Sequence, residues 1–132
     1  MKKIKLIAIL IAILLTSSFL YLAYKIYSPI FTVDSCENEI VKDIPSPNGE
    51  YTAYIFKRNC GATTDVSYQL SVLKTDQELE NKSGNAFITD SNFKIQWENS
   101  DHLTVNFPEK AETYEQDKKV SNVYITYKKS KE

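Results

Sequence analysis

The sequence predicts an all-β domain preceded by one membrane-spanning helix. The first observation behind this prediction is a run of 19 uncharged residues, Leu6–Tyr24, which follows a short head that contains three lysines. The second is the remainder of the chain, where Val, Ile, Tyr, Phe and Thr gather in short stretches separated by turn residues. We expect a small antiparallel meander that forms a single sheet, a sandwich or a partial barrel.

The uncharged run is long enough to span a bilayer. As a helix it would measure about 28 Å, close to the hydrocarbon thickness of about 30 Å. Lys2, Lys3 and Lys5 precede the run, and an excess of lysine marks the cytoplasmic side of a membrane segment. The bulk of the chain is therefore predicted to lie outside the cell membrane.

Four side chains at the outer end of this run suit the membrane surface: Tyr21, Tyr24, Lys25 and Tyr27. Amphipathic rings prefer the headgroup level, and a lysine can extend its amine to the same depth. Pro29 follows and discourages further helix. The lipid bilayer is thus the first expected partner, through a helix over residues 6–27.

A cleaved signal peptide is the alternative for this segment. Leu6–Leu15 would be its apolar stretch, and Thr16 and Ser18 would be the small residues before a cut near Ser18. The protein would then be secreted. We favour the anchor because Phe19–Ala23 stays apolar beyond that site, whereas cleavage regions are usually polar.

Composition divides the chain in the same way. All 17 acidic residues follow Tyr24, together with 13 of the 16 basic ones, so the outer part is mildly acidic. This balance argues against nucleic acid as a partner, because nucleic acid needs a basic face. The predicted organisation is a cytoplasmic head over residues 1–5, the helix over 6–27, a linker over 28–35, the β domain over 36–128 and a tail over 129–132.

Six strands are predicted in the β domain, with no helix between them. Alternation of apolar and polar side chains marks the core face of several strands. The predicted strands are Tyr51–Phe56, Ser67–Leu73, Ala86–Thr89, Phe93–Trp97, His102–Phe107 and Val120–Tyr127. The predicted core side chains are Tyr68, Leu70, Val72, Phe93, Trp97, Leu103, Val105, Phe107, Val123, Ile125 and Tyr127.

The segments between these strands differ in character. Pro45–Gly49 places prolines before an Asn-Gly pair, and Asn99–Asp101 predicts a hairpin. Lys74–Asn85 is predicted to be a longer polar connection. Glu109–Lys119 is rich in charge and has no aliphatic side chain larger than that of Ala, so we expect a mobile loop there, or a short exposed helix.

The two cysteines, Cys36 and Cys60, both fall in the exterior segment, where thiols are not kept reduced. We therefore predict a disulfide between them. Such a bridge closes a loop of 23 residues and is worth about 3 kcal/mol in the chain-entropy model. The alternatives are free thiols, a bond to another protein's cysteine and a nucleophilic cysteine.

The residues around Cys60 form the candidate ligand site, with two interpretations. In the first, a small anion binds to a loop made of Arg58, Gly61, Ala62, Thr63 and Thr64. Unusual backbone angles at the glycine would expose amides and hydroxyls, and the arginine would add charge. In the second, this loop is a connection pinned by the disulfide, with Thr hydroxyls bonded to local backbone groups. We favour the second, because the spacing typical of a phosphate-binding loop is absent.

An enzyme would have to use His102, the only histidine. Cys60 is the one conceivable nucleophile for it, which makes a small thiol-dependent or hydrolytic enzyme the alternative function. The disulfide would consume that thiol, which argues against catalysis. The acidic runs lack calcium-loop spacing and the chain lacks zinc ligands, so no metal and no cofactor is predicted.

The exterior segment also contains three sequence motifs. Ser46–Tyr51 reads Ser-Pro-Asn-Gly-Glu-Tyr, Arg58–Thr64 reads Arg-Asn-Cys-Gly-Ala-Thr-Thr, and Trp97 follows in a predicted strand. This combination resembles a family of small, uncharacterised bacterial exported or membrane-anchored proteins. The resemblance implies a bacterial, extracytoplasmic domain and brings no established activity.

The favoured function is therefore a binding domain for another protein or a component of the cell envelope. Sheet edges can accept an added strand, and nine tyrosines offer amphipathic contact surface. The enzyme based on Cys60 and His102 is one alternative. An inhibitor or immunity protein that blocks an exported enzyme is another.

Overall fold

The computed structural model describes residues 1–31 and 36–131, with the backbone alone at residues 28–31. The chain divides into two compact units, Met1–Asp34 and Ser35–Glu132. The first unit contains one apolar helix, α1, over Lys2–Phe31. The second contains nine strands within the described residues.

Helix α1 is longer than the sequence predicts. It starts at Lys2 rather than Leu6, and it continues through Pro29 to Phe31, so the expected stop at the proline is wrong. A proline this close to the end of a helix removes one backbone hydrogen bond, the one to the Lys25 carbonyl. The part over Lys2–Tyr27 is long and apolar enough to cross a membrane, and none of it is buried inside its unit.

The strands of the second unit are β1 Glu37–Pro45, β2 Tyr51–Asn59, β3 Ser67–Lys74, β4 Phe87–Thr89, β5 Lys94–Asn99, β6 His102–Pro108, β7 Thr113–Gln116, β8 Lys119–Val120 and β9 Val123–Ser130. All six predicted strands are present, and the all-β fold class after one helix is confirmed. The sixth predicted strand is divided into β8 and β9 by a tight turn at Ser121, whose φ is +53°. Ser-Asn is a weaker turn signal than a pair that contains glycine, so the division was not visible in the sequence.

The nine strands form two sheets. The first has the order β1-β2-β3-β4-β7 and the second the order β5-β6-β9-β8. All neighbours are antiparallel except β6 and β9, which are parallel, because the chain returns to the first sheet at β7 before it completes the second. Side chains from both sheets form one core, so the domain is a β-sandwich rather than a barrel or a single sheet.

The predicted core side chains all lie on the inner faces of the two sheets. Eight of them are buried, and Tyr68, Trp97 and Tyr127 are partly buried against the same core. At the centre stands a side chain outside that prediction, Phe87, which is fully buried. Its ring centroid lies 5.1 Å from that of Phe93 and 5.2 Å from those of Phe107 and Tyr127.

Strand β1 was not predicted, because its sequence mixes four charged residues with few apolar ones. It lies at the edge of the first sheet, where charged side chains can point into water and discourage pairing with other chains. A bulge at Val41 interrupts its pairing with β2. The turn to β2 forms as expected at Ser46–Gly49: the Gly49 amide donates to the Ser46 carbonyl at 2.8 Å, and the φ of Gly49 is +71°.

The charged segment Glu109–Lys119 is not a loop or a helix throughout. Its central part forms β7, which pairs with β4 and makes the other edge of the first sheet. The prediction failed because β7 is largely exposed and charged, so it shows no apolar alternation. Backbone hydrogen bonds to β4 hold β7 as a strand, although its side chains show no strand pattern.

The Lys74–Asn85 connection packs on the outer face of the first sheet. The Gly84 amide donates to Gln69 Oε1 at 2.7 Å, and a Cβ at Gly84 would lie 2.7 Å from the Leu70 carbonyl oxygen, so the close approach requires glycine. Gln69 is 4% exposed, and its neighbour Phe56 is fully buried. The outer face of the first sheet is therefore covered, whereas the alternation of apolar and polar residues in β3 predicts a face in contact with water.

Tyr127 ties the two sheets together. It lies on β9, and its hydroxyl is 3.0 Å from the Ala86 carbonyl, next to β4, and 2.6 Å from the Asp117 carbonyl. Burial, followed by the charges of Asp117 and Glu115, raises the pKa of this phenol. A raised folded-state pKa means that its contribution to stability is complete below about pH 10, the value of an unfolded tyrosine, and is lost as the pH rises further.

We expect Tyr127→Phe to lower the free energy of unfolding by about 1 kcal/mol at neutral pH, because a buried hydrogen bond is lost. Above about pH 10 the difference should shrink, since the wild-type protein loses the Tyr127 contribution there and the variant has no such contribution to lose. Urea unfolding at neutral pH and at about pH 10.5 measures both effects. Tyr124→Phe, at a side chain that is 46% exposed, is the control and should change little. A constant difference across this range would contradict the assigned role.

Candidate functional site

The predicted disulfide joins Cys36 and Cys60 across the open end of the β1–β2 hairpin. Glu37 pairs with Asn59, so the two cysteines occupy the next opposed positions, and their Cα atoms are 3.8 Å apart. No free cysteine remains. The bridge lies where the chain enters the sandwich, at the end of an edge strand that has a single neighbour.

Arg58 is held in a polar network beside this bridge. Only 7% of the residue is exposed, and its Nη1 donates to Asn38 Oδ1 at 2.7 Å and to Asn81 Oδ1 at 3.3 Å. Asn38 Nδ2 in turn donates to the carbonyls of Glu80 and Lys82, at 3.2 and 2.7 Å. The arginine thus fastens β1 to the connection over the outer face, and it does not project into the predicted anion loop.

The predicted anion loop uses much of its hydrogen-bonding capacity internally. Gly61 has a φ of +106°, as the sequence suggests, but its amide donates to Asn59 Oδ1 at 3.0 Å. The amide and the hydroxyl of Thr64 both lie 3.3 Å from the Gly61 carbonyl. Ala62 and Thr63 are exposed in the turn between them. This geometry favours the interpretation as a local turn next to the disulfide.

The two residues of the alternative enzyme have separate partners. Cys60 follows β2 in the first sheet and is bonded to Cys36. His102 begins β6 in the second sheet, where its Nδ1 lies 2.8 Å from Asp101 Oδ1 and its ring stacks on Tyr124. Within the part of the chain that the structure describes, no group of three His, Cys, Asp or Glu side chains could hold a metal ion.

The four side chains proposed for the membrane surface lie on the last turns of α1 before residue 28. Tyr21, Tyr24, Tyr27 and Lys25 are all exposed. Tyrosines at intervals of three residues project from one side of a helix and step slowly around it. Their rings are therefore free of contacts that would compete with a lipid headgroup region.

Two adjoining cavities flank the start of β5. The first, which we call the apolar pocket, has a volume of 280 Å³ and lies between the edges of the two sheets. It is lined by Val41, Lys42, Ile44, Ile55, Asn92, Phe93, Lys94 and Ile95. The second, the polar cavity, has a volume of 650 Å³ and shares the residues 92–95. Its other lining residues are Gln96, Asn106, Pro108 and Ser130.

The charge of these cavities differs from that of the domain. Lys42 and Lys94 are exposed at their rim, and no lining residue of either cavity is acidic. Neither lysine forms an ion pair with a described residue. The floor of the apolar pocket is buried, with Ile55 and Phe93 each 4% exposed. A basic rim around an apolar floor therefore interrupts an acidic surface.

The opposite edge of the first sheet has the reverse charge. Tyr114 on β7 is 59% exposed, and partial burial, followed by the charges of Glu112, Asp90 and Asp65, raises the pKa of its phenol. These carboxylates surround the β7 edge, whereas the cavities lie at the β1 edge. Strand β1 itself also carries Glu37, Glu39 and Asp43, so the basic character at this edge is confined to the two lysines of the cavities.

The sequence did not reveal these cavities. Their walls come from β1, β2, the start of β5, β6 and the end of β9, segments that are far apart in the chain. The signal that could have found them is weak: Lys42 follows a valine and Lys94 stands between a phenylalanine and an isoleucine, but other lysines also have apolar neighbours. The pairing of the two edges had to be known first, including the bond from Trp97 Nε1 to the Ile44 carbonyl at 3.1 Å.

Comparison with known proteins gives a family without an activity. Residues 3–118 match the sequence model described as a family of unknown function (DUF5412). The match covers most of α1 and every strand from β1 to β7. No curated protein and no solved structure matches the chain.

Proposed function

Because the chain belongs to this family of unknown function, which has no activity to carry over, we propose a role from its geometry: a single-pass membrane protein that displays a disulfide-linked β-sandwich outside the cell as a binding domain. The observation that carries the proposal is the combination in one chain of an apolar, uncovered helix and a cross-strand disulfide. The expected partner is a protein of the cell envelope. The bacterial setting implied by the resemblance belongs to this proposal.

Continuity of α1 supports an anchor over a cleaved signal peptide. The helix runs without interruption through Thr16 and Ser17, whose hydroxyls donate to the carbonyls of Ile13 and Leu14 at 2.9 and 3.0 Å. These bonds satisfy polar groups that would otherwise be costly in hydrocarbon. A peptidase must bind an extended chain, so cleavage near Ser18 would require this part of the helix to unwind.

The disulfide supports an exterior location for the sandwich, because such bonds persist in oxidising compartments. Lysines at the start of α1 support the same orientation, with the N-terminus in the cytoplasm. We do not pursue the enzyme based on Cys60 and His102, since the thiol is held in the bridge. An inhibitor or immunity protein would be one form of the proposed binding domain.

Thiol labelling in intact cells tests the location. After mild reduction, a membrane-impermeant maleimide of about 5 kDa should shift the full-length chain twice on a gel, and without reduction it should not react. The chain should stay in the membrane fraction at the mass of residues 1–132. Single cysteines placed at Lys2 and at Lys74, each in a Cys36→Ser, Cys60→Ser background, are matched controls for the two sides.

Two results would contradict the proposal. If the maleimide reached the Lys2 site in intact cells but not the Lys74 site, the orientation would be reversed. If the chain were recovered from the medium about 18 residues shorter, the cleaved signal peptide would be correct. Labelling of Lys74 alone, with retention in the membrane, is the expected pattern.

A further inference from the structure

We propose that the apolar pocket and the polar cavity beside β5 together bind a protein segment in which an apolar side chain is flanked by carboxylates. This inference names the partner surface of the proposed binding domain. It rests on the proposed function for its biological setting, but not for its chemistry.

The floor of the apolar pocket is the reason for proposing an apolar side chain in the bound segment. Ile44, Ile55, Phe93 and Ile95 line a volume of 280 Å³, and Val41 stands at the rim with 46% of its surface exposed. An aliphatic or aromatic side chain placed there removes apolar surface from water on both partners. A phosphate or polyol polymer has nothing to place on such a floor.

The polar cavity is the reason for proposing that the bound group is a peptide. Gln96 and Asn106 belong to paired strands β5 and β6, and their side chains form no hydrogen bond to a described residue. Each amide offers both a donor and an acceptor, which matches the N–H and C=O groups of a peptide. The two cavities share Asn92–Ile95, so one short segment can contact both.

The two lysines at the rim are the reason for proposing carboxylates in the bound segment. Lys42 and Lys94 come from different sheets and stand at one rim without acidic neighbours among the lining residues. Asp43 pairs with Tyr54 and so lies on the opposite face of β1 from Lys42. Glu39, which pairs with Lys57, lies on the same face as Lys42 but lines a separate pocket. Opposite charge at an interface rim mainly speeds association and selects the partner.

The β1 edge itself is unsuited to strand addition. It carries a bulge at Val41, a charged side chain on each face at Lys42 and Asp43, and Pro45, which has no N–H to donate. These are the devices by which natural sheets prevent edge pairing. Binding through side chains in the cavities is therefore favoured over the added strand expected from the sequence.

A peptide titration with the full-length chain in detergent micelles tests the proposal. The probe is a blocked, fluorescent heptapeptide with a central Leu, two Glu on each side and a Gly at each end, followed by anisotropy. The double variant Lys42→Glu, Lys94→Glu should bind it at least about tenfold more weakly, and should bind better the probe whose Glu residues are replaced by Lys. The matched control is Lys74→Glu, Lys118→Glu, which has the same net charge and exposed sites, and should bind like the wild type.

Two further probes separate the contributions. Replacement of the central Leu by Ser should weaken binding about tenfold, since the apolar floor loses its ligand. Equal binding of that probe, together with equally tight binding of inorganic polyphosphate, would show a site for anionic polymers and overturn the proposal. Absence of wild-type binding at 1 mM peptide, or equal affinities of the two double variants, would also overturn it. Because the titration is independent of cellular location, these failures leave the membrane orientation to the labelling experiment.

Discussion

Replacement of both cysteines by serine, Cys36→Ser with Cys60→Ser, is expected to lower the free energy of unfolding by about 2 to 4 kcal/mol. The bridge closes the open end of the β1–β2 hairpin, and β1 has one neighbouring strand only. Without it, β1 can separate from β2 from its first residue onwards. Urea unfolding of the full chain in micelles, followed by the fluorescence of Trp97, the single tryptophan, measures the loss.

Limited proteolysis then identifies where the variant opens. Cleavage should appear first in β1, near Lys42, because without the bridge this strand is held by pairing with one neighbour and by side-chain bonds at Asn38 and at the Ile44 carbonyl, and Lys42 lies between those two points beside the bulge. Wild-type protein kept in reductant should behave like the double variant, which is the internal control. If the variant and the reduced protein unfolded at the wild-type urea concentration, the bridge would have no part in holding the edge strand.

Phe87→Ala is expected to cost about 3 to 5 kcal/mol, the largest effect of any single substitution considered for this domain. The ring is fully buried on the first sheet and contacts three other aromatic rings, of which Phe107 and Tyr127 belong to the second sheet. Its removal leaves a cavity at the point where the sheets meet, and the surrounding rings cannot collapse into it without moving a strand. The measurement is urea unfolding with β-sheet circular dichroism as the signal.

Two variants bracket this result. Phe87→Leu keeps most of the volume and should lose less than Phe87→Ala. Tyr114→Ala removes an aromatic ring of similar size that is 59% exposed, and should change the free energy of unfolding by about 0.5 kcal/mol or less. Equal losses for Phe87→Ala and Tyr114→Ala would refute the central position assigned to Phe87.

The interior strands were predictable because burial of a strand determines which of its residues must be apolar. Leu70 with Val72 on β3, and Leu103 with Val105 on β6, alternate with polar residues as a two-sided sheet requires. The edge strands β1 and β7 lack this signal, since their side chains face water and their order comes from backbone bonds to β2 and β4. Backbone bonds are the same for every residue and leave little trace in a sequence.

The candidate sites also divide into features that the sequence predicts and features that depend on which strands become neighbours. The disulfide was predicted from the presence of two cysteines and from the exterior location expected for the segment that follows the apolar run. The less favoured anion interpretation included Arg58 because it is close to Gly61 in sequence. Alternation along β2 instead directs this side chain to the outer face, where its Nη1 donates to Asn81 Oδ1 of a distant connection. The two lysines of the apolar pocket, Lys42 and Lys94, are separated by half the domain in sequence.

Composition and hydropathy alone thus predicted an apolar helix, a disulfide and an all-β domain, because each depends on residues near one another or on simple counts. Tertiary structure alone decided that the domain is a sandwich, that Arg58 is buried, and that Lys42 and Lys94 line one pocket with an apolar floor at the β1 edge. The reason is physical: burial and charge complementarity depend on which strands become neighbours. That choice is made by the whole core, with Phe87 at its centre, and not by any local run of residues.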